Sequence, residues 1–307
     1  MRVVSLLPSA TETLYALGVE PVAVSHECDY PPAATELSTV VHSNVDPDAD
    51  PADLNEQVGA AAAGDGVYDL DREALRAADP DLVVSQGVCD VCAVDSALVT
   101  EAVEATGLDC EVLTTDPHTL GDVLDDIERV GRALDREDRA TDLVADLRER
   151  VETVERRAAD AAADEGRPRA LVFDWTDPTM VGGHWVPGMV ETAGGEYGLT
   201  PGGDPTRRHD WDDVCEFDPE ALVVAPCGYE LDRAVESASR LAERDGWDDL
   251  TAVREGRMHA MDGNAYVNRP GPRLVDTLEH LAGVLHPEHF EAPPANVARR
   301  VGVRADV

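Results

Sequence analysis

Lysine is absent from this 307-residue chain. All 25 basic residues are arginines, and they face 63 Asp and Glu, a formal net charge of −38. No basic patch exists to release counterions from a polyanion, which excludes nucleic acid and anionic lipid surfaces as partners. So large a charge repels itself in dilute salt and is tolerated where ions screen it within a few ångströms. The composition therefore reads as a halophilic, acidic protein. No apolar run is long enough to cross a bilayer, so membrane insertion is not expected. The opening MRVVSLLPSATETLYALG has one Arg and a short apolar run ended by Pro8, without the longer apolar core and cleavage site of a signal peptide. No Cys follows it as a lipid-attachment site requires. As written, the chain is expected to be cytoplasmic; a start codon upstream of Met1 would move it to the extracellular face. GxSxG, HExxH and Walker spacings are missing, as is any Ser-His-Asp grouping, and nothing calls for turnover: no catalytic residues and no required cofactor are expected.

At 43% hydrophobic the chain can build ordinary cores. RVVSLL (2–7), VEPVAVSH (19–26), DLVVSQ (81–86) and LDCEVLTTD (108–116) read as strands. Helical patterns at 8–18, 71–80 and 96–107 alternate with them, closed by Gly18, Pro80 and Gly107. This alternation argues for α/β architecture with a mainly parallel sheet. Leu120, Leu124, Ile127, Val130 and Leu134 are three or four residues apart, and Leu143, Leu147, Val151, Val154 and Ala158 resume the stripe, giving one long helix or two end to end. The opening pattern then returns: RALVFDW (169–175) repeats the first strand, and DPEALVVAPCGY (218–229) parallels DPDLVVSQGVC (79–89). The expectation is two Rossmann-like lobes, 1–117 and 166–289, joined by a connector helix over 118–165 and followed by a tail over 290–307. A ligand cleft is expected between the lobes.

Ligands of parallel α/β sheets bind beyond the carboxyl ends of the strands. Four of six cysteines fall in loops on that side: Cys28, Cys89, Cys92 and Cys227. Three readings of them stay open. They pack loops as small buried residues; they ligate a zinc ion, an iron–sulfur cluster or a cobalt corrinoid, with His26 or His184 assisting; or Cys89 and Cys92 form a transient redox pair. A thiol-dependent enzyme is the remaining rival, and it lacks a convincing general base. Aromatics are scarce, at 3 Phe, 4 Trp and 6 Tyr, yet Tyr30, Trp175, Trp185, Tyr229 and Tyr266 all follow predicted strands, as suits a large flat ligand. VGGHWVPG (181–188) is glycine-rich before a helix and offers His184 as a ligand; His286 and His289 read as structural.

RVVSLLPSATETLYALG (2–18), CDYPP (28–32), PDLVVSQ (80–86), the connector and NRPGPR (268–273) together make the chain similar to the helical-backbone substrate-binding proteins of ABC importers for vitamin B12, haem and ferric siderophores. It most resembles the vitamin B12-binding type. CDVCAV (89–94) with APCGY (225–229) looks like a branch named cobalamin-binding. The resemblance implies a rigid connector helix and a small-molecule metal chelate, cobalamin or another, held by a monomer. By motif position it adds Ser9, Ala10, Thr11, Asp29, Gln86, Asn268 and Arg269 to the candidate binding set. It also implies docking on the membrane subunits of an ABC transporter through one surface acid per lobe. Glu73 matches the first acid; at the second this chain has Asn268.

The charge makes the first prediction. Raising salt from about 0.1 M to about 1 M shortens the screening length from about 10 Å to about 3 Å, so the thermal unfolding midpoint rises. A sharp fall in that midpoint contradicts the halophilic reading.

Overall fold

The computed structural model describes residues 1–46, 49–62, 64, 66–88, 94 and 96–301, with the side chains of 51, 52 and 62 left aside. Two compact units divide the chain: Met1–Pro117 with Gly121–Ala145, and His118–Leu120 with everything from Asp146 on.

Unit 1 is built on strands β1 (Val3–Ser5), β2 (Ala23–Ser25), β3 (Ser38–Ser43), β4 (Tyr68–Leu70), β5 (Leu82–Gln86) and β6 (Glu111–Thr115). They form one sheet in the order β4-β3-β2-β1-β5-β6. All neighbours are parallel except the edge pair β3–β4. Every residue of β1 and β5 is buried. A strand covered on both faces must be apolar throughout rather than alternating, which is why VVS and LVVSQ read as continuous runs. Helices α1 (Pro8–Ala16), α2 (Pro51–Ala62), α3 (Arg72–Ala78) and α4 (Ser96–Thr106) provide the crossovers, and α5 (Leu120–Ala133) follows.

Helix α6 (Glu137–Glu165) belongs by its contacts to both units, dividing at Ala145. The connector expected over 118–165 is therefore two helices, one of the two readings its apolar stripe left open. The chain turns at Asp135, whose φ is +54°, and the Arg136 N–H donates to the Gly131 carbonyl at 2.8 Å. At this turn α5 and α6 touch through their smallest residues: a Cβ on Gly131 would run into the Cβ of Ala140.

Unit 2 contains β7 (Arg169–Thr176), β8 (Thr179–Val181), β9 (Glu196–Tyr197), β10 (Arg207–Arg208), β11 (Ala221–Val224), β12 (Met258–Met261) and β13 (Ala298–Arg300). The order is β10-β8-β7-β11-β12-β13, with β9 also on β7. The centre, β7-β11-β12, is parallel; β8, β10 and β13 are antiparallel additions. The expected tail over 290–307 is thus corrected in part: Ala298–Arg300 lies along β12 as an edge strand. Helices α7 (Trp185–Thr192), α8 (Trp211–Phe217), α9 (Leu231–Arg240), α10 (Thr251–Arg254) and α11 (Leu274–Leu285) complete the unit. Its core gathers Leu171, Phe173, Leu222, Val224, Leu241 and Met258 from both sheet and helices.

The repeat seen in sequence has a backbone counterpart. Helices α3 and α8 each end on an aspartate in the left-handed conformation, Asp79 at φ +44° and Asp218 at φ +47°. Each is followed by a proline, which cannot continue the helix. Aspartate is among the few residues with a side chain that tolerate this conformation. Asp218 also anchors α10, accepting from the Thr251 N–H and hydroxyl, both at 2.8 Å.

Glycine in a helix ordinarily gains about 1 kcal/mol of stability on mutation to alanine. At Gly131 the sign reverses, because overpacking costs about 1–3 kcal/mol. Gly131→Ala lowers the denaturant midpoint; a midpoint equal to or above wild type contradicts the close α5–α6 crossing.

Candidate functional site

The binding candidates of unit 1 stand at the carboxyl ends of its central strands. β1 delivers the chain into α1, so Ser9, Ala10 and Thr11 occupy the first turns of that helix, and all three are buried. Thr11 is closed inside: its hydroxyl lies 2.8 Å from Ser5 Oγ and 3.1 Å from Cys28 Sγ. Cys28 is buried with Val24 and Ala34, flanked by Tyr15 and Leu37. Asp29 and Tyr30 follow it on the surface, Tyr30 being 46% exposed. Gln86 ends β5 and is buried, and its Oε1 has no hydrogen-bond partner among the described residues. An amide oxygen shut away from water costs about 1–3 kcal/mol unless something pairs with it. Gln86 is thus a candidate contact at a strand end, and Tyr15 and Asp126 of this unit likewise carry a buried unpaired oxygen.

In unit 2 the candidates form a linked set. Trp175, near the end of β7, packs against Tyr229, just past β11, with ring centroids 5.0 Å apart. The Tyr229 carbonyl accepts from the Gly263 and Asn264 N–H groups, tying that loop to the turn after β12. The same turn is fixed twice more: Asn268 Nδ2 donates to the Ala225 carbonyl at 3.1 Å, and Trp185 Nε1 donates to the Val267 carbonyl at 2.9 Å. Tyr266 meets the edge of His280 at 5.5 Å, and burial pushes the His280 pKa down. Trp185, Tyr229 and Arg269 are buried, while Trp175, His184, Cys227, Tyr266 and Asn268 keep part of their surface open. The indole of Trp185 and the ring of Tyr229 are mostly packing. Arg233 lies over the Tyr229 ring at 4.1 Å.

His184 has the most unusual backbone of the set, with φ +50° and ψ −118° just before α7. This region is costly for a residue with a Cβ, of order 1–3 kcal/mol. Its N–H donates to the Asp204 carbonyl, and its carbonyl accepts from the Gly203 N–H at 3.0 Å. Gly183 must be glycine here, since a Cβ would run into the backbone at Asp204 and Pro205. The His184 ring stacks on Trp185 and lies 5.5 Å from the ring of His118.

Two residues near these loops escape a reading of the sequence. His118 sits in the unremarkable DPHTL. Asp174 carries a signal in hindsight, as the lone acid in the strand RALVFDWT. It occupies a bulge where β7 shifts register against β8, and burial pushes its pKa up to about 6.

Cys89 and Cys92 lie outside the described residues. Cys28 and Cys227 belong to different units, and Cys110 and Cys215 are half-buried. Among the described residues no group of three or more His, Cys, Asp or Glu side chains is placed to hold a metal ion. The surroundings of Cys28 are those of a packed core residue, so nothing supports zinc or an iron–sulfur cluster at these thiols. A groove of about 680 Å³ on unit 2, lined by Arg150, Glu279, His280 and Phe290 among others, shares no residue with the candidate set. No helix among the described residues is long and apolar enough to cross a membrane.

The uncharacterized ABC transporter substrate-binding lipoprotein YvrC of Bacillus subtilis is 25% identical to this chain, over 94% of the chain and 81% of its own length. The vitamin B12-binding protein of Vibrio parahaemolyticus is also 25% identical, over 95% and 90%. Among solved structures, a periplasmic heme binding protein from Pseudomonas aeruginosa superposes with a TM-score of 0.74 at 20% identity, covering 99% of each chain. The profile of the periplasmic binding protein family matches residues 3–265. With most of its length matched and both α/β units in place, the chain belongs to the periplasmic binding protein family, a family of non-catalytic substrate binders.

Proposed function

We propose that this chain binds a corrinoid of the cobalamin type and passes it to the membrane subunits of an ABC importer. The observation that carries the reading is the likeness to the vitamin B12-binding relative along nearly the whole of both sequences. The strand-end loops support it. Trp175 and Tyr266 offer aromatic surface that remains partly open, which suits a broad macrocycle contacted at low entropy cost. Gln86 Oε1 supplies an unpaired acceptor for an amide or hydroxyl on the ligand's rim. Affinity in such a site comes from apolar burial, and the few polar groups set orientation.

Glu73 supports docking on a transporter. It is exposed in the first turn of α3, where Asp71 caps the helix by accepting from the Glu73 and Ala74 N–H groups at 2.9 Å. Asn268 does not offer a second acid, and its amide is already committed to the Ala225 carbonyl. Docking in this proposal rests on Glu73. The relatives named lipoprotein and periplasmic favour a location outside the cytoplasmic membrane. They give no support to the cytoplasmic expectation, and we place the protein on the outer side.

Titrating the protein with cyanocobalamin in molar salt, following the cobalamin visible bands and tryptophan fluorescence, gives saturable one-to-one binding that outcompetes haemin. No spectral change at tens of micromolar contradicts the corrinoid reading, and tighter binding of haemin replaces it with a haem carrier. Gln86→Leu weakens cyanocobalamin binding about tenfold, the equivalent of one lost hydrogen bond of about 1.4 kcal/mol. The same change leaves the thermal midpoint equal or higher, because a buried unpaired oxygen has been removed. Unchanged affinity removes Gln86 from the site.

A further inference from the structure

Trp175 stands near the tip of the β7–β8 hairpin, where the strand ladder holds it least. β7 shifts register against β8 between Phe173 and Trp175, leaving Trp175–Met180 and Thr176–Thr179 as the last pairs before the turn. A bulge interrupts the ladder and bends the strand that carries it. The Trp175 indole N–H folds back onto the turn, donating to the Asp177 carbonyl at 3.0 Å. The position of the turn therefore decides where the Trp175 ring lies against Tyr229.

Two side chains from beyond β11 grip that turn at Thr176, which is buried. Ser237 of α9 meets the Thr176 hydroxyl, Oγ to Oγ, at 2.7 Å. Arg244, past the end of α9, donates from Nη2 to the Thr176 carbonyl. Arg244 is itself fixed. Its N–H donates to the Leu241 carbonyl at 3.0 Å, and its carbonyl accepts from the Trp247 N–H at 3.2 Å. Its guanidinium lies over the Trp211 ring, 5.1 Å from the centroid, and Trp211 stacks in turn on Trp247. A planar guanidinium seated on an aromatic face is pre-organised and loses little freedom in making its bond. The same helix reaches the second ring of the pair: Arg233, which covers Tyr229, lies one turn before Ser237 on the same face of α9.

We propose that Arg244 is a positioning residue: by holding the Thr176 carbonyl it sets the Trp175 ring for contact with the ligand. This role rests on the proposed binding function of Trp175. The ion pair of Arg244 does not carry it. Asp177 stands 3.8 Å away and is 89% exposed, so that pair is screened in concentrated salt. The bond to the Thr176 carbonyl persists there, because Thr176 is buried and the Arg244 side chain is only 27% exposed. With an ionised donor it is roughly twice as strong as a neutral hydrogen bond. Loss of the donor frees the tip of the hairpin, and part of the ligand-binding energy then goes into ordering Trp175.

Arg244→Met keeps an apolar stem over Trp211 and removes the donor, whereas Arg244→Lys keeps a donor. The first measurement needs no ligand. Hydrogen exchange of the unliganded full-length chain in molar salt is faster around residues 175–179 in Arg244→Met and returns toward wild type in Arg244→Lys. It is unchanged at Ala221–Val224 in both. Unchanged exchange at 175–179 overturns the proposal, and so does faster exchange spread over the whole of unit 2, which marks Arg244 as a general stabiliser. With cyanocobalamin as probe, Arg244→Met weakens binding about tenfold, the scale of one lost hydrogen bond. Arg244→Lys restores most of that affinity. In a Trp175→Leu background Arg244→Met has no further effect, because the two residues act as one. Equal losses in both backgrounds overturn the proposal. If cyanocobalamin fails to bind wild type, the corrinoid reading falls, and the exchange measurement still decides whether Arg244 holds the turn.

Discussion

Burial of the central strands on both faces is the constraint from which the rest follows. β1, β5 and β11 are enclosed along their whole length, so they hold almost no polar side chain until they reach their carboxyl ends. There the chain must leave the sheet, and polar and aromatic residues become permissible. Gln86 terminates β5, Asp174 and Trp175 lie at the end of β7, and Tyr229 follows β11 by a short loop. The chemistry of each unit collects at one edge because the sheet excludes it elsewhere. The groove lined by Arg150 and Glu279 lies outside this pattern, its arginine taken up by Asp276 and Glu279.

Rigidity at these edges comes from backbone carbonyls rather than from ion pairs. Trp185 on Val267, Asn268 on Ala225 and the Gly263 and Asn264 amides on Tyr229 make a local mesh of neutral hydrogen bonds. Such a mesh is indifferent to salt, which matters for a chain carrying a net charge of −38. Surface ion pairs such as Arg207–Asp204 are screened in concentrated salt and contribute little.

Much of the fold is legible in the sequence, and the failures have physical causes. The strands that announce themselves are the doubly buried ones, VVS, LVVSQ and ALVV. STVVHS, which forms β3, is mixed in burial and is not among the strands read from the sequence, and the two-residue strands β9 and β10 are too short to carry a pattern. The apolar stripe lapses between Leu134 and Leu143 and then resumes, which by itself does not tell one helix from two. The turn within that gap is set by Asp135 and by the smallness of Gly131. Strand-end position puts the candidates in the loops beyond the sheets but does not tell which side chains stay open. Trp185 and Tyr229 are spent on packing, Thr11 and Cys28 on each other. Asp174 went unread because a single acid among 63 is invisible by composition, and its isolation inside an apolar strand is the signal that finds it. The CxxC at 89–92 stays where the sequence left it, as an expectation.

The central proposal is that the strand-end loops make the ligand contacts. Hydrogen exchange followed by mass spectrometry, with and without cyanocobalamin in molar salt, tests it directly. The account predicts slowed exchange around residues 86–88, 175–177, 184–186, 227–229 and 264–269, and no change along α11 or at 290–294. Protection centred on that second region, or spread without preference over the chain, contradicts it.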